Sequence, residues 1–431
     1  MMQAQPRDNM TGNRRSRPIS TALLAFIMLA LQCPLLFGSD AQPATSGKVI
    51  LDMDSVRHRP GEVKNKDQQT VPVGTVELVE GKFGKAVRFY FAGDLGAGFM
   101  TASVPTTPEW DQADGFSFYV KGDGSTNWGG IELIDKDDFA LRYAYCFPID
   151  STDWRQIVVP WRGLIPELAG PLINPQTGYA PSHFGNLWFG KWFYWRDYPA
   201  HAFAIDQIAL EGKIVSKVES GPVATGLKLI RSKLKAQRPI TLVTMGDSLS
   251  DKRHWANRET LWSEQLGQQL QEKCGCAVTL VNPAIGGTTL SQNLILMPRW
   301  LHDTPRPDLV TVWFGFNDWD SGVRGPRFKD YLRLAVDRIR RETGGASDIL
   351  LLTTCPAYSR WETMKELEQA TMEVAQEKGV AVADIAAEFR RMGSAEQALQ
   401  QSYLAWDKTH LGTNGHRLVA ATVMKALTAA E

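Results

Sequence analysis

The chain has 431 residues, which is long for one hydrophobic core and predicts two domains. Its 47 basic and 47 acidic residues cancel, so composition excludes a strong global field for nucleic acid or for an anionic membrane. The five cysteines match no zinc-binding spacing. We interpret the four that follow the N-terminal segment as small apolar core residues.

The first 41 residues are typical of a secretory signal peptide. Three arginines between positions 14 and 17 precede an apolar run over residues 21–37, and Ser39-Asp40-Ala41 offers small residues for cleavage. An uncleaved anchor is the alternative, although residues 32–34 interrupt the run and leave it short for a membrane span. No later stretch is apolar enough to cross a bilayer. We therefore expect a secreted or periplasmic protein without a membrane span in its mature chain.

Residues 48–215 show short alternating apolar runs separated by glycine and proline, without a long stretch of helical period. The runs cover residues 49–51, 76–79, 86–91, 116–120, 130–134, 141–147, 156–159 and 203–210. Many short strands at hairpin spacing predict an all-β sandwich.

Several segments of this region resemble known sandwich modules. Glu80–Phe89 is similar to the hairpin of lectin-like sandwiches. Phe116–Gly124, together with Asp153–Gln156 and Val159–Trp161, resembles jelly-roll modules that bind carbohydrate. The resemblance implies a jelly-roll fold and a polysaccharide or oligosaccharide partner.

Residues 186–198 are rich in aromatic side chains. Trp188, Trp192 and Trp195 carry the rings that proteins use to stack on sugars, so they are predicted sugar-binding residues. Since alternation along a strand buries one face, core packing of half of these rings is the competing interpretation. The aspartates within 135–138 are interpreted as a solvated turn rather than a calcium site, because further oxygen ligands cannot be identified.

Residues 216–238 are interpreted as a linker that ends in a docking helix, since Leu227, Ile230 and Leu234 have helical spacing. Residues 239–431 then alternate between strand and helix patterns. Strands are predicted at 240–245, 277–282, 308–314, 348–354 and 380–384, and helices around 262–270, 328–339 and 361–374. This alternation predicts a three-layer α/β domain with a parallel sheet between helices.

Four short motifs stand at the ends of predicted strands or before the last helix. They are Gly246-Asp-Ser248, Asn282–Thr289, Gly315–Asp318 and Asp407–His410. Ligands of open α/β sheets bind outside the carboxyl ends of the strands, so the motifs are expected to meet there. In this order the four blocks closely resemble the SGNH or GDSL hydrolase family of esterases and lipases, over roughly residues 239–431. The resemblance implies a flavodoxin-like fold and serine ester hydrolysis.

The resemblance also implies a role for each motif. Ser248 is the expected nucleophile, His410 the base that takes its proton, and Asp407 the carboxylate that orients the imidazole. Backbone N–H groups of Ser248 and Gly287 and the amide of Asn317 are the expected oxyanion-hole donors. No metal and no organic cofactor is expected in this chemistry.

Neighbouring residues of the same motifs receive other interpretations. Gly286 adjoins Gly287 and is the alternative oxyanion donor, although the spacing from Asn282 that the family resemblance implies favours Gly287. Asp247 and Asp318 are interpreted as turn and helix-cap residues rather than as catalytic acids. His416 is excluded as the base because Asp407 and His410 have the Asp-x-x-His spacing.

The expected function is that of an exported serine esterase that removes acyl groups from carbohydrate, with acetyl as the favoured group. Joining a sugar-binding module to a deacylating domain raises the local substrate concentration. A lipid ester hydrolase of the lysophospholipase kind is one alternative. A catalytically inactive carbohydrate-binding protein is the other.

Overall fold

The computed structural model describes residues 41–43, 47–95, 97–192, 195, 199–216 and 225–429. The predicted signal peptide therefore lies outside the described residues except for Ala41, and so do residues 217–224 of the predicted linker. Within the described ranges, no helix combines the length and the apolar character that a membrane span requires.

The N-terminal region is built from short antiparallel strands, as predicted. Each predicted run forms a strand, and the additional strands are mostly two to six residues long. The strands are β1 (Ala41–Pro43), β2 (Lys48–Leu51), β3 (Arg59–Pro60), β4 (Glu62–Lys64), β5 (Thr70–Pro72), β6 (Gly74–Glu80), β7 (Lys85–Phe91), β8 (Gly98–Ser103), β9 (Gly115–Gly122), β10 (Trp128–Asp135), β11 (Arg142–Pro148), β12 (Arg155–Pro160), β13 (Ile165–Pro166), β14 (Phe184–Lys191), β15 (His201–Glu211) and β16 (Ile214–Ser216).

Two sheets of this region enclose a common apolar core. One has the strand order β13-β11-β10-β14-β8-β3, and the other has the order β12-β9-β15-β7-β6 with β2 beside β15. Phe89 and Phe203 from the second sheet pack against Phe189 of the first, with ring centroids 4.7 and 5.9 Å away. The all-β prediction is confirmed at this level, and jelly-roll connectivity stays a prediction.

The C-terminal region alternates strands and helices around one parallel sheet. Its strands are β17 (Ile240–Gly246), β18 (Val278–Val281), β19 (Leu309–Trp313), β20 (Asp348–Leu352) and β21 (Ala381–Ala383). Its helices are α1 (Lys228–Lys235), α2 (Trp262–Cys274), α3 (Leu290–Asp303), α4 (Phe316–Asp320), α5 (Gly325–Glu342), α6 (Lys365–Lys378), α7 (Ile385–Arg391), α8 (Ala395–Gln400) and α9 (Thr413–Thr428).

The sheet has the order β18-β17-β19-β20-β21 with every pair parallel, which is the flavodoxin-like arrangement. Alternation along β17 sends Val243 and Met245 to the side of α3, α5 and α6. It sends Ile240 and Leu242 to the side of α1, α2, α7 and α9. The five predicted strands and the helical layers on both faces are confirmed. The predicted docking helix is α1, which buries Ile230 and Leu234 in the second of these cores.

The part of the outer sheet face formed by β11 and β13 is buried against the α/β region. Ala144, Cys146 and Ile165 share one apolar cluster with residues of α3 and α5. The Cys146 thiol donates a 3.0 Å hydrogen bond to the carbonyl of Ile295, and the Tyr331 hydroxyl donates a 2.8 Å bond to the carbonyl of Gly170. The two regions are therefore joined by shared packing as well as by the chain.

Two of the predicted sugar-binding rings lie inside this contact. Trp192 is 0 % exposed and Trp195 is 4 % exposed, and their ring centroids are 5.2 Å apart. A Cβ on Gly130 would lie only 1.7 Å from the Trp192 ring, so the strand beneath the ring requires glycine. This burial corrects the prediction for Trp192 and Trp195, because a ring without an exposed face cannot stack on a sugar. Trp188 is partly exposed and contacts Phe139, so for this residue the prediction stays open.

We expect Trp192→Ala to lower the free energy of unfolding by about 3–5 kcal/mol, because it leaves a cavity in a closely packed contact. The measurement is chemical denaturation followed by circular dichroism. Phe139→Ala is the matched control, since that ring is 57 % exposed. The control is expected to change the free energy by less than about 0.5 kcal/mol. A loss below about 1 kcal/mol for Trp192→Ala would show that the ring is not packed as described.

Candidate active site

Ser248 lies just past the carboxyl end of β17, the strand that pairs with β18 on one side and with β19 on the other. The backbone turns sharply there, since the N–H groups of Ser250 and Asp251 both donate to the carbonyl of Asp247. A Cβ on Gly246 would lie 2.6 Å from the Ser250 hydroxyl, so a larger residue here would force the Ser250 side chain to shift. The turn presents Ser248 to the cleft at the strand end.

His410 and Asp407 lie in the loop between α8 and α9 and reach Ser248 from the other side of the cleft. The His410 Nε2 atom is 2.8 Å from the Ser248 hydroxyl oxygen. The His410 Nδ1 atom is 2.5 Å from a carboxylate oxygen of Asp407. Serine, imidazole and carboxylate thus form one chain of hydrogen bonds.

The loop itself holds the Asp407 carboxylate in place. Its Oδ1 atom accepts hydrogen bonds from the backbone N–H groups of Thr409 and His410, at 3.2 and 3.1 Å. Burial alone would raise the pKa of Asp407, but the bonds from the His410 side chain and from these two N–H groups outweigh burial and lower the pKa below its usual value. The carboxylate therefore stays ionised beside the imidazole, as an orienting group requires.

The second motif distinguishes its two glycines. The N–H of Gly286 already donates to Asp251 at 2.8 Å, and Gly286 is buried. Gly287 is exposed to the cleft and has a φ of 78°, a conformation that favours glycine. The geometry thus favours Gly287 as the residue whose backbone faces a bound substrate.

Asn317 is the second residue of α4 and reaches the same cleft. Its side-chain nitrogen donates to the carbonyl of Thr288 at 3.0 Å and to Asp247 at 3.3 Å. The structure therefore brings Ser248, Gly287, Asn317 and His410 around one opening of about 540 Å³.

Asp247 and Asp318 are buried beneath this opening. Asp247 accepts the N–H of Leu249 and Asp318 accepts that of Leu290, which begins α3, so both act as turn or cap residues as interpreted from the sequence. Burial raises the pKa of Asp247 to about 6. Burial, together with the neighbouring Asp247 carboxylate, raises the pKa of Asp318 to about 7. These two carboxyl groups below the active site therefore bind protons at higher pH than an ordinary aspartate does.

We expect Asp318→Asn to stabilise the protein at pH 8 and to leave its stability unchanged near pH 4. The folded-state pKa of about 7 exceeds the ordinary value of 3.8, so the wild-type protein loses stability as the pH rises between these values. Asparagine keeps the acceptor for Leu290 and does not ionise. The measurement is the difference in Tm between variant and wild type from pH 4 to pH 8. A difference that stays constant with pH would contradict the raised pKa.

Three further residues of the cleft were not singled out from the sequence. Asp251 accepts bonds from Gly286 and from the guanidinium of Arg253, which stands at the cleft edge. The His254 ring stacks on His410 with centroids 4.0 Å apart. The sequence carries no signal for the contacts of Asp251 with Gly286 and of His254 with His410, because each of these contacts joins separate loops.

Comparison with known proteins agrees with this geometry. Residues 244–418 match the model of the GDSL-like Lipase/Acylhydrolase family, and the match does not extend to the N-terminal strands. Comparison with curated proteins gives no match.

Two solved structures show the kind of chain that this one resembles. An acetylxylan esterase from Geobacillus stearothermophilus is 22 % identical, with 46 % of this chain and 97 % of that chain covered and a TM-score of 0.37. A lipase/acylhydrolase from Enterococcus faecalis is 20 % identical, with 43 % and 94 % covered and a TM-score of 0.36. At this level of similarity neither structure informs the substrate. By its family match, the chain contains a GDSL-like lipase/acylhydrolase domain at residues 244–418 and is a serine ester hydrolase.

Proposed function

We propose that the protein is an exported serine esterase that removes acetyl or other short acyl groups from carbohydrate. The observation that carries the proposal is the hydrogen-bonded chain from Ser248 through His410 to Asp407, which lies in the cleft at the strand ends. Export rests on the N-terminal residues 1–41, whose basic and apolar segments are typical of a signal peptide.

In the proposed mechanism, the Ser248 hydroxyl attacks the ester carbonyl while His410 Nε2 takes its proton. Asp407 holds the imidazole through Nδ1 and stabilises its charged form. His410 then protonates the departing sugar oxygen. A water activated by the same imidazole cleaves the acyl-serine, which releases the acid and restores the hydroxyl.

The oxyanion formed in both steps needs donors that are already in place. The proposed donors are the N–H groups of Ser248 and Gly287 and the amide of Asn317. The amide of Asn317 donates one hydrogen to Thr288 and the other to Asp247. The contact with Asp247 is the longer, at 3.3 Å, so its hydrogen is the proposed donor to the oxyanion. Its shorter bond to Thr288 keeps the side chain in position.

The composition of the cleft favours a short acyl group and a polar alcohol. Its described lining consists of Ser248, Asp251, Arg253, His254, Gly286, Gly287, Phe316, Asn317 and His410. Phe316 is the one large aliphatic or purely hydrocarbon side chain in that set. A long fatty acyl chain requires an extended apolar surface to leave water, so the lining disfavours a lipid ester.

The proposal is tested with wild-type protein on acetylated xylan, on 4-nitrophenyl esters of increasing chain length and on a lysophospholipid. We expect acetate release from the polysaccharide, and kcat/KM on the aryl esters that falls by about tenfold or more between acetate and octanoate. Faster cleavage of the lysophospholipid or of the long-chain esters would favour the lipid esterase alternative. A folded wild-type protein that cleaves none of them would favour an inactive binding protein.

A further inference from the structure

A row of rings leads from the active site to the protein surface. His254 stacks on His410 with centroids 4.0 Å apart and an interplanar angle of 27°. Trp255 lies 5.4 Å from His254 and 6.0 Å from His410. Trp406 stacks on Trp255 at 5.1 Å and 29°. The two tryptophans therefore continue the wall of the catalytic cleft outward.

Both tryptophans are exposed to an unusual degree for such large apolar side chains. Trp255 is 41 % exposed and Trp406 is 77 % exposed, the highest value among the large apolar residues of the described chain. Leaving an indole in water forgoes the free energy of burial, so its position at the rim of a cleft points to a ligand.

The segments that carry the two rings are hydrogen-bonded to the loops that hold the catalytic residues. Trp406 directly precedes Asp407, in a loop closed by a 2.7 Å bond from the N–H of Ala405 to the carbonyl of His410. Trp255 shares a short helical turn with Asn257, two residues later, a buried residue whose amide donates to the carbonyls of Ser248 and Asp251 at 2.7 Å each. The backbone segments that carry the rings are thus tied to the loops of the nucleophile and of its base.

We propose that Trp255 and Trp406 form a stacking platform for a pyranose ring of the polysaccharide, next to the sugar that carries the acyl group. The inference deepens the proposed function and rests on it for the nature of the ligand. The C–H face of a pyranose packs on an aromatic plane, while its hydroxyls stay in water or reach the polar cleft. An exposed, water-facing platform suits this amphipathic ring better than a fatty acyl chain, which requires an enclosed apolar surface.

The platform predicts selectivity for oligomers over small esters. 4-Nitrophenyl acetate contains no sugar and fits in the cleft at Ser248, whereas an acetylated xylotetraose extends over the rim to the two tryptophans. The quantity to measure is the ratio of kcat/KM on acetylated xylotetraose to kcat/KM on 4-nitrophenyl acetate. We expect Trp406→Ala to lower this ratio roughly tenfold, and Trp406→Tyr to restore most of it because the tyrosine ring keeps a stacking face.

Phe83→Ala is the matched control, because it removes a 44 % exposed ring from the N-terminal region. This control is expected to leave the ratio unchanged. Binding is measured separately by calorimetry, with acetylated xylotetraose titrated into Ser248→Ala and into Ser248→Ala combined with Trp406→Ala. We expect the affinity to fall about tenfold on loss of Trp406.

The outcomes separate the platform from the proposed function. The platform is overturned if wild type deacetylates acetylated xylotetraose but Trp406→Ala changes neither the kcat/KM ratio nor the affinity. The esterase proposal stands in that case. Binding that depends on Trp406, without acetate release by wild type, would support the platform and overturn the proposed substrate. If Ser248→Ala binds no oligosaccharide at all, the platform is overturned. A Trp406→Ala effect that is equally large on 4-nitrophenyl octanoate would also overturn it, in favour of acyl-chain binding.

Discussion

Replacing Ser248 with alanine is expected to lower kcat on 4-nitrophenyl acetate by at least about 10⁴-fold, the scale of loss when a catalytic nucleophile is removed. The hydroxyl is 2.8 Å from His410 Nε2, and alanine offers no atom that could form the acyl intermediate. Thermal stability is expected to stay near the wild-type value, because Ser248 is only partly buried. The measurements are steady-state kinetics and Tm on the same preparations.

Ser321→Ala is the matched control for this experiment. Ser321 is an exposed serine that follows α4, and it does not line the described cleft. It is expected to retain wild-type activity and stability. Activity of Ser248→Ala within tenfold of wild type would remove Ser248 from the mechanism.

His410 and His416 offer a second, paired comparison. His410→Ala is expected to lower kcat by about 10⁴-fold or more, because the serine hydroxyl then lacks its base. The ring is partly exposed, so Tm is expected to change little. His416, six residues along the chain, is 0 % exposed and accepts the N–H of Trp262, which begins α2.

His416→Ala should show the reverse pattern. Burial lowers the pKa of His416 to about 4, so the ring is neutral at assay pH and serves packing between α9 and α2. We expect a loss of about 2–4 kcal/mol in the free energy of unfolding and near wild-type kcat per folded molecule. If instead His416→Ala abolished kcat in folded protein and His410→Ala did not, the assignment of the base would be wrong.

The five strands of the α/β region and the motifs at their carboxyl ends were predictable, because the local hydrophobic pattern and the topology of a parallel sheet lead to the same arrangement. The five apolar runs of the α/β region are short, β-branched and separated by helical periods, which is how strands buried on both faces are built. All five form β17 to β21. Parallel strands place their carboxyl ends at one edge, so motifs that follow β17, β18 and β19 meet there without further information. The spacing of Asp407 and His410 adds the remaining pair within one loop.

The same local signals could not decide whether the outer face of the N-terminal sheet is exposed to solvent or covered by other elements. Alternation within residues 186–198 predicted that every second ring is buried inside the sandwich. It did not predict whether the remaining rings are exposed or covered by another element. In the structure, α3 and α5 cover the outer face, so Trp192 and Trp195 become part of an inter-region core. Such a contact joins residues about a hundred positions apart, and no periodicity within either segment records it.

The sequence by itself thus predicted the all-β class of the first region and the α/β class of the second, and its resemblance to the SGNH family implied the serine, the histidine and the aspartate of the site. The fold classes depend on local period and on turn chemistry, and the meeting of the motifs depends on the shared edge of a parallel sheet. The tertiary structure adds a reason to prefer Gly287 over Gly286, because Asp251 accepts the N–H of Gly286. It alone also placed the exposed rings of Trp255 and Trp406 beside each other. Each of these outcomes is a contact between loops distant in the chain, whose approach is set by the packing of the whole domain.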